Sequence, residues 1–190
     1  FISSGTWSLF GTECAAPMLG GRAFKMGLSN ECAVGGKYTA LKNITGLWLM
    51  QESRRQWRRE GTSYSYDDLE SMAKKEPPFR CFVDVEDIRF LPPGNMPQRM
   101  QHYCQETEQF IPETPGEIAR CIYDSLAMKY RETLLSLEDC RGRAYPALHI
   151  VGGGAKDGFL SQLTANACGI PVMAGPPEAT VLGNLAVQLM

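Results

Sequence analysis

Residues 146–190 read PALHIVGGGAKDGFLSQLTANACGIPVMAGPPEATVLGNLAVQLM, and this stretch decides the fold. The run 146–151 predicts a short buried strand, Gly152, Gly153 and Gly154 turn the chain, and residues 156–167 predict a helix with Phe159, Leu160 and Leu163 inward. Gly169 ends that helix, residues 170–173 predict a second strand, and Glu178 opens a last helix. Strand, helix, strand, helix with a glycine-rich first turn is an α/β pattern.

Working outward, the clearest helix spans residues 115–137. Thr114-Pro115-Gly116-Glu117 has the form of a capping box, with Pro115 at the first helical position, where no amide partner is lost. Ile118, Ile122, Leu126 and Tyr130 then recur every four residues, and Leu134 and Leu137 continue the face. Residues 37–60 predict another long helix, on the spacing of Tyr38, Leu41, Ile44 and Trp48, widened by Leu47, Leu49 and Met50 and stopped by Gly61. Shorter helices are predicted at 66–76, ended by Pro77 and Pro78, and at 98–108. The stretch 77–97 is proline-rich, with one extended piece at 81–85; Phe79, Phe82, Phe90 and Leu91 call for burial, so it is not a linker. Residues 1–9 read as a strand, 11–21 as strand and turn, and 20–36 as a loop.

The 190 residues suffice for one domain, and 44% hydrophobic with 21% charged residues suits a folded globular chain. A net charge of −2 leaves no electrostatic footprint for nucleic acid or an anionic membrane. No apolar run reaches the about 18 residues of a membrane span, and the opening residues do not predict a signal peptide. The cluster Arg54, Arg55, Arg58 and Arg59 closes a predicted helix, where it faces solvent and complements the helix dipole. The chain opens Phe-Ile-Ser-Ser without Met, so it reads as a domain cut from a longer protein, and residues 185–190 are still in apolar helical register at the other end. Seven cysteines include no CxxC pair, and His102 and His149 stand alone, which gives no zinc signature. Reduced thiols in a cytoplasmic enzyme are the expectation. Cys104 and Cys121 flank the turn between two predicted helices, and a disulfide between them is the alternative.

Three groups of residues can carry chemistry. Gly152, Gly153 and Gly154 admit a ligand to the backbone and precede a helix N-terminus, though a tight strand-to-helix turn would use the same residues. No Gly-Lys-Ser/Thr follows them, and the spacing is not that of a dinucleotide fingerprint. Ser3-Ser4-Gly5-Thr6-Trp7 offers hydroxyls and bare amides to a phosphate, or simply the geometry of a hairpin tip. Asn43 and Gln51, eight residues apart on the predicted helix, would be about 12 Å apart and reach different parts of one extended ligand, unless they are ordinary surface amides.

Taken in order, SSGTW (3–7), GGKYTALKNITGLWLMQESRRQW (35–57), FLPPGNMPQRMQHYCQET (90–107), TPGEIARCIYDSLAMKYRETL (114–134) and residues 149–190 resemble the C-terminal half of the FGGY carbohydrate kinases along nearly the whole chain. The resemblance implies an α/β, ribonuclease H-like fold of the actin and hexokinase type, a mixed sheet flanked by helices, with the strand before Phe1 missing and its edge of the sheet open. It implies ATP and Mg as cofactors. Thr6 would contact the ATP phosphates; Gly153 would lie against the nucleotide with Gly152 and Gly154 beside it. Gln51 would contact ATP, Asn43 would reach toward the sugar, and Ala155 and Lys156 would open a helix beside the adenosine. The segments KNITGLWL, FLPPGNMP and TPGEIARCIYDSLA resemble the branch of the family whose sugar is L-rhamnulose; another ketose or polyol, or a non-catalytic nucleotide-binding module, is the alternative. The family's catalytic Asp belongs to a Gly-x-Asp motif that would precede Phe1. The implied N-terminal domain, with most sugar contacts, would also lie upstream. Asp84, Glu86 and Asp87 match no such base and read as solvated charges or turn formers.

Overall fold

The computed structural model describes residues 1–189 and joins six strands into one mixed sheet: β1 (Ile2–Ser4), β2 (Trp7–Cys14), β3 (Ser29–Cys32), β4 (Tyr38–Thr45), β5 (Leu148–Val151) and β6 (Val172–Ala174). Their order is β3-β4-β2-β1-β5-β6. The pairs β3–β4, β4–β2 and β2–β1 are antiparallel, and the pairs β1–β5 and β5–β6 are parallel. Seven helices accompany the sheet: α1 (Gly21–Met26), α2 (Trp48–Arg59), α3 (Tyr66–Ala73), α4 (Met96–Glu106), α5 (Pro115–Arg141), α6 (Gly158–Cys168) and α7 (Ala179–Gln188).

Helix α5 is the spine of the core. Thr114 Oγ1 accepts from the Glu117 amide at 3.2 Å and Glu117 Oε2 accepts from the Thr114 amide at 3.0 Å, closing the expected capping box. Ile118, Ile122, Leu126, Tyr130, Leu134 and Leu137 are all buried. Tyr130 reaches the sheet, its hydroxyl 2.6 Å from Ser8 Oγ on β2. Side chains alternate across a strand, so Ile2, Phe10 and Ile44 share the packed face with Ser8, while Ser3, Leu9 and Asn43 lie on the other.

The predicted helix at 37–60 divides into two elements. Residues 38–45 are β4, paired along its whole length with β2 from Trp7↔Thr45 to Cys14↔Tyr38, and only from Trp48 is the chain helical. Tyr38, Thr39, Ile44 and Thr45 are good strand residues, and eight residues of ladder outweigh a helical spacing that had no partner to test it. Gly46 makes the junction: a Cβ there would stand 2.5 Å from Ser8 Oγ and 2.9 Å from the Trp7 backbone. Strand β1 lies inside the sheet between β2 and β5, and the edges are β3 and β6.

The irregular segment between α3 and α4 is tied down by side chains. Asp124 accepts from the Phe79 amide at 2.8 Å, Ser125 from that of Val83 at 3.0 Å, and Gln109 bonds both backbone groups of Phe82. Its polar backbone is thus satisfied without a ladder, and 81–85 is extended but no strand. Phe90 is buried as expected, whereas Phe79 and Leu91 are exposed.

Candidate functional site

The row Ser3, Leu9 and Asn43 crosses β1, β2 and β4 on the face away from α5 and lines an open cleft of about 660 Å³. Trp7, 49% exposed, stands in the same cleft. Apolar surface from Trp7 and Leu9 around the single amide of Asn43 is the usual make-up of a small-molecule pocket. Gly152 and Gly153 line it too, together with Pro177 and Thr180 at the entry to α7. Asn43 therefore reaches the site from a strand, not from a helix.

The three glycines of the turn do different work. Gly152 has φ 86°, and a Cβ there would be 2.8 Å from the Ser4 carbonyl oxygen. At Gly154 a Cβ would fall 2.1 Å from Ser4 Oγ. Both are required by the close approach of the turn to β1. Gly153 has nothing within 4 Å of its Cβ position and is exposed to the cleft. Packing does not explain the missing side chain there. Ser4, also at the cleft, is buried and its Oγ has no hydrogen-bond partner.

Thr6 and Gln51 form a pair. The hairpin tip between β1 and β2 docks on the start of α2, where the Leu47 amide donates to the Gly5 carbonyl at 3.1 Å and the Trp48 amide to that of Thr6 at 3.0 Å. One turn later Gln51 Oε1 accepts from Thr6 Oγ1 at 3.1 Å. Thr6 sits between Gly5 and Trp7, which line the cleft, but neither it nor Gln51 lines it. Beyond Gln51 lies a separate cavity of about 270 Å³ with Arg54, Arg55 and Arg58 on its wall. Arg54 is spent on Tyr64, donating to its carbonyl, and on the Tyr66 ring; Arg58 and Arg59 are exposed in the last turn of α2, as expected.

The helix after the glycines begins at Gly158 rather than at Lys156; residues Gly153–Lys156 form one 3-10 turn. Ala155 is buried and Lys156 exposed. Asp157, which the sequence reading passed over, caps α6 by accepting from the Leu160 amide at 2.8 Å and takes a second bond of 2.8 Å from the Tyr123 hydroxyl. Burial raises its carboxyl pKa against these bonds. Pro177 and Thr180 were missed as well; the Pro176-Pro177 break just before a helix start was the available signal.

Among the described residues no carboxylate lines the cleft. The Ser3 hydroxyl, the Asn43 amide and the open backbone at Gly153 are compatible with a nucleotide phosphate and sugar. They do not supply the oxygen set that holds magnesium. Glu86 is no solvated charge: it bridges Lys42 at 2.8 Å and Lys129 at 2.6 Å, away from the cleft. Asp84 and Asp87 accept amides of their own turns.

A mixed sheet of this order, flanked by helices, with a hydroxyl-bearing hairpin and a glycine turn at one cleft, defines half of an actin- and hexokinase-type fold as found in sugar kinases. Over residues 1–190 the sequence matches the profile of the FGGY family of carbohydrate kinases, C-terminal domain, and the chain belongs to that family. It is 47% identical over 192 residues to a rhamnulokinase of Enterococcus faecalis, with all of this chain and 38% of that protein covered. A rhamnulokinase of Bacillus subtilis is 44% identical over 190 residues, again with all of this chain and 39% of that protein covered. The chain thus spans about two fifths of the length of these curated relatives. Among solved structures, the xylulose kinase of Rhodospirillum rubrum superposes with a TM-score of 0.61 at 16% identity, covering 90% of this chain and 33% of that one. At that identity the likeness speaks for the fold.

Proposed function

We propose that the protein carrying this chain is an ATP- and magnesium-dependent kinase that phosphorylates L-rhamnulose at its primary hydroxyl, with this chain supplying the nucleotide half of the cleft. The observation that carries the reading is Gly153: a residue without a side chain, required by no contact, facing a cleft that Asn43 and the hairpin residues Gly5 and Trp7 also line. The choice of sugar is supported by the rhamnulokinases that match the whole chain at 42–47% identity.

In this reading the residues of the chain bind and orient. With the Gln51 amide turned so that Nε2 donates to Thr6 Oγ1, the Thr6 hydroxyl is free to donate its one proton to a phosphate oxygen; Gly153 lets the nucleotide lie on the backbone, and Asn43 faces the sugar side. Transfer forms a bond from the sugar oxygen to the terminal phosphorus as the bond to the leaving phosphate breaks. The sugar proton goes to a carboxylate that this cleft does not contain and the rest of the protein provides. Magnesium would neutralise phosphate charge, and this cleft offers no carboxylate to hold it, so any protein ligands would come from outside this chain.

The test is a kinase assay of the intact protein with ATP and a panel of ketoses and polyols. L-Rhamnulose is expected to give a kcat/KM about tenfold or more above xylulose and glycerol. A preference for another sugar would assign the protein to a different branch of the family. No transfer to any sugar, with ATP still bound, would leave the non-catalytic nucleotide-binding reading.

A further inference from the structure

Of the three tryptophans, Trp7 is the one that the fold leaves open. Trp57 is buried, and Trp48 donates its indole N–H to the Phe90 carbonyl at 2.9 Å, with the Arg55 guanidinium over its ring. Trp7 is half-exposed, yet its backbone is fixed. Its carbonyl accepts from the Gly5 amide at 2.9 Å, and it pairs with Thr45 in the β2–β4 ladder. Two residues on, Leu9 points to the same face of the sheet, and both residues line the cleft. We propose that Trp7 and Leu9 form the apolar wall that receives the terminal methyl group of a 6-deoxy ketose, and so set a preference for that sugar over its 6-hydroxy counterpart. The inference rests on the reading of the protein as a kinase of L-rhamnulose.

The sheet order decides which end of the cleft this wall belongs to. Asn43 lies on β4, the strand next to β2, and pairs directly with Leu9. The glycine turn follows β5, which is separated from β2 by β1. The wall therefore stands with Asn43, at the sugar end, and not with Gly153, where the nucleotide lies in the proposed reading.

The two sides of that end differ in what they offer. The Asn43 amide can donate to and accept from sugar hydroxyls. Leu9 and the face of the indole offer surface alone. L-Rhamnulose has the matching asymmetry: it is L-fructose with a methyl group in place of the terminal hydroxymethyl group. Against Trp7 and Leu9 the methyl group gives up no hydrogen bond to water, whereas a hydroxyl would shed water and find no partner on this wall. Discrimination of this kind in an apolar pocket reaches about 10–100-fold. A tryptophan held by a strand ladder also loses little freedom when a ligand packs on it.

The test compares L-rhamnulose with L-fructose as substrates of the intact protein, in the wild type, Trp7→Phe and Trp7→Ala, with ATP varied at saturating sugar. The wild type is expected to favour L-rhamnulose in kcat/KM. Trp7→Ala is expected to lose about tenfold of that preference, chiefly through the KM for L-rhamnulose, and Trp7→Phe to keep most of it. The ATP KM should stay the same in all three. Leu9→Thr keeps a good strand residue and adds a hydroxyl to the wall, so it should shift the preference toward L-fructose even if Trp7→Ala fails to fold. A preference that survives both Trp7→Ala and Leu9→Thr unchanged would overturn the proposal and leave the kinase reading standing. So would a raised ATP KM with an unaltered choice of sugar, which would put Trp7 against the nucleotide base. A wild type that transfers phosphate to neither sugar would remove the L-rhamnulose reading, and this wall with it.

Discussion

Thr6 Oγ1 donates to Gln51 Oε1 at 3.1 Å, joining the hairpin tip to the first turns of α2 across 45 residues of sequence. The bond is solvent-exposed and adds little to stability; its use is to fix where the Thr6 hydroxyl stands.

Thr6→Ala and Gln51→Ala should therefore act on rate rather than on fold. In the intact kinase each is expected to lower kcat about 10–100-fold, and the double variant to be little worse than the poorer single one, because the two groups act together. Tm should move by less than about 2 °C. Steady-state kinetics and a thermal melt of the four proteins check this; additive losses would mean that the residues act separately.

Gly153 and Gly154 should part company. Gly153→Val fills open space at the cleft and is expected to raise the ATP KM about tenfold or more, with Tm and the sugar KM nearly unchanged. Gly154→Ala puts a methyl group 2.1 Å from Ser4 Oγ and is expected to cost about 1–3 kcal/mol of stability. Urea melts and ATP titrations of both variants decide the matter. A Gly153→Val protein with unchanged ATP use would make that turn structural throughout.

Tyr130→Phe removes the hydroxyl that meets Ser8 Oγ at 2.6 Å in a fully buried pair. Leaving Ser8 without that partner is expected to cost about 1–3 kcal/mol. Adding Ser8→Ala should recover part of the loss, since the orphaned hydroxyl goes with it. Equilibrium denaturation of the two single variants and the double variant gives the coupling.

Glu86 links β4 to α5 through Lys42 and Lys129. Burial alone would raise its pKa, but hydrogen bonds from Lys129 and Lys42 outweigh it and hold the carboxyl below its ordinary value of 4.5. The unfolded chain then takes up the proton first as acid is added. The stabilisation is full above the ordinary glutamate range and is lost as the pH falls through the lower, folded-state value. Glu86→Gln is expected to cost about 1–2 kcal/mol at pH 7 and almost nothing near pH 3. Denaturant melts at both pH values measure the difference; a gap that stays constant with pH would rule out the ionic origin.

The sequence made some of this legible and hid the rest for physical reasons. Helix α5 could be read because its capping box and its four-residue repeat are both local. Residues 38–45 could not, because Tyr38, Leu41, Ile44 and Trp48 are spaced as well for a helix, and only the distant partner strand Trp7–Cys14 decides against it. Thr6, Gln51, Asn43 and Gly153 were nominated from their resemblance to a family; the fold brings Asn43 and Gly153 to one cleft, Asn43 from an unforeseen strand, while Thr6 and Gln51 bond each other and Gln51 faces a separate cavity. The approach of Cys104 and Cys121 was legible from the turn they flank, whereas Cys81 joins them from an irregular segment that no local pattern places.

Tyr123 and Tyr130 are two turns apart on one rigid helix. The first holds Asp157 at the exit of the glycine turn, and the second holds Ser8 on the strand beside the hairpin. Both walls of the cleft thus hang from α5, and neither can swing away while that helix stays packed. Warming the protein accordingly offers no intermediate regime in which the pocket slackens within an intact fold: loss of nucleotide affinity and loss of near-UV ellipticity should trace the same curve, and a bound nucleotide should slow amide exchange along α5 as strongly as in the cleft itself.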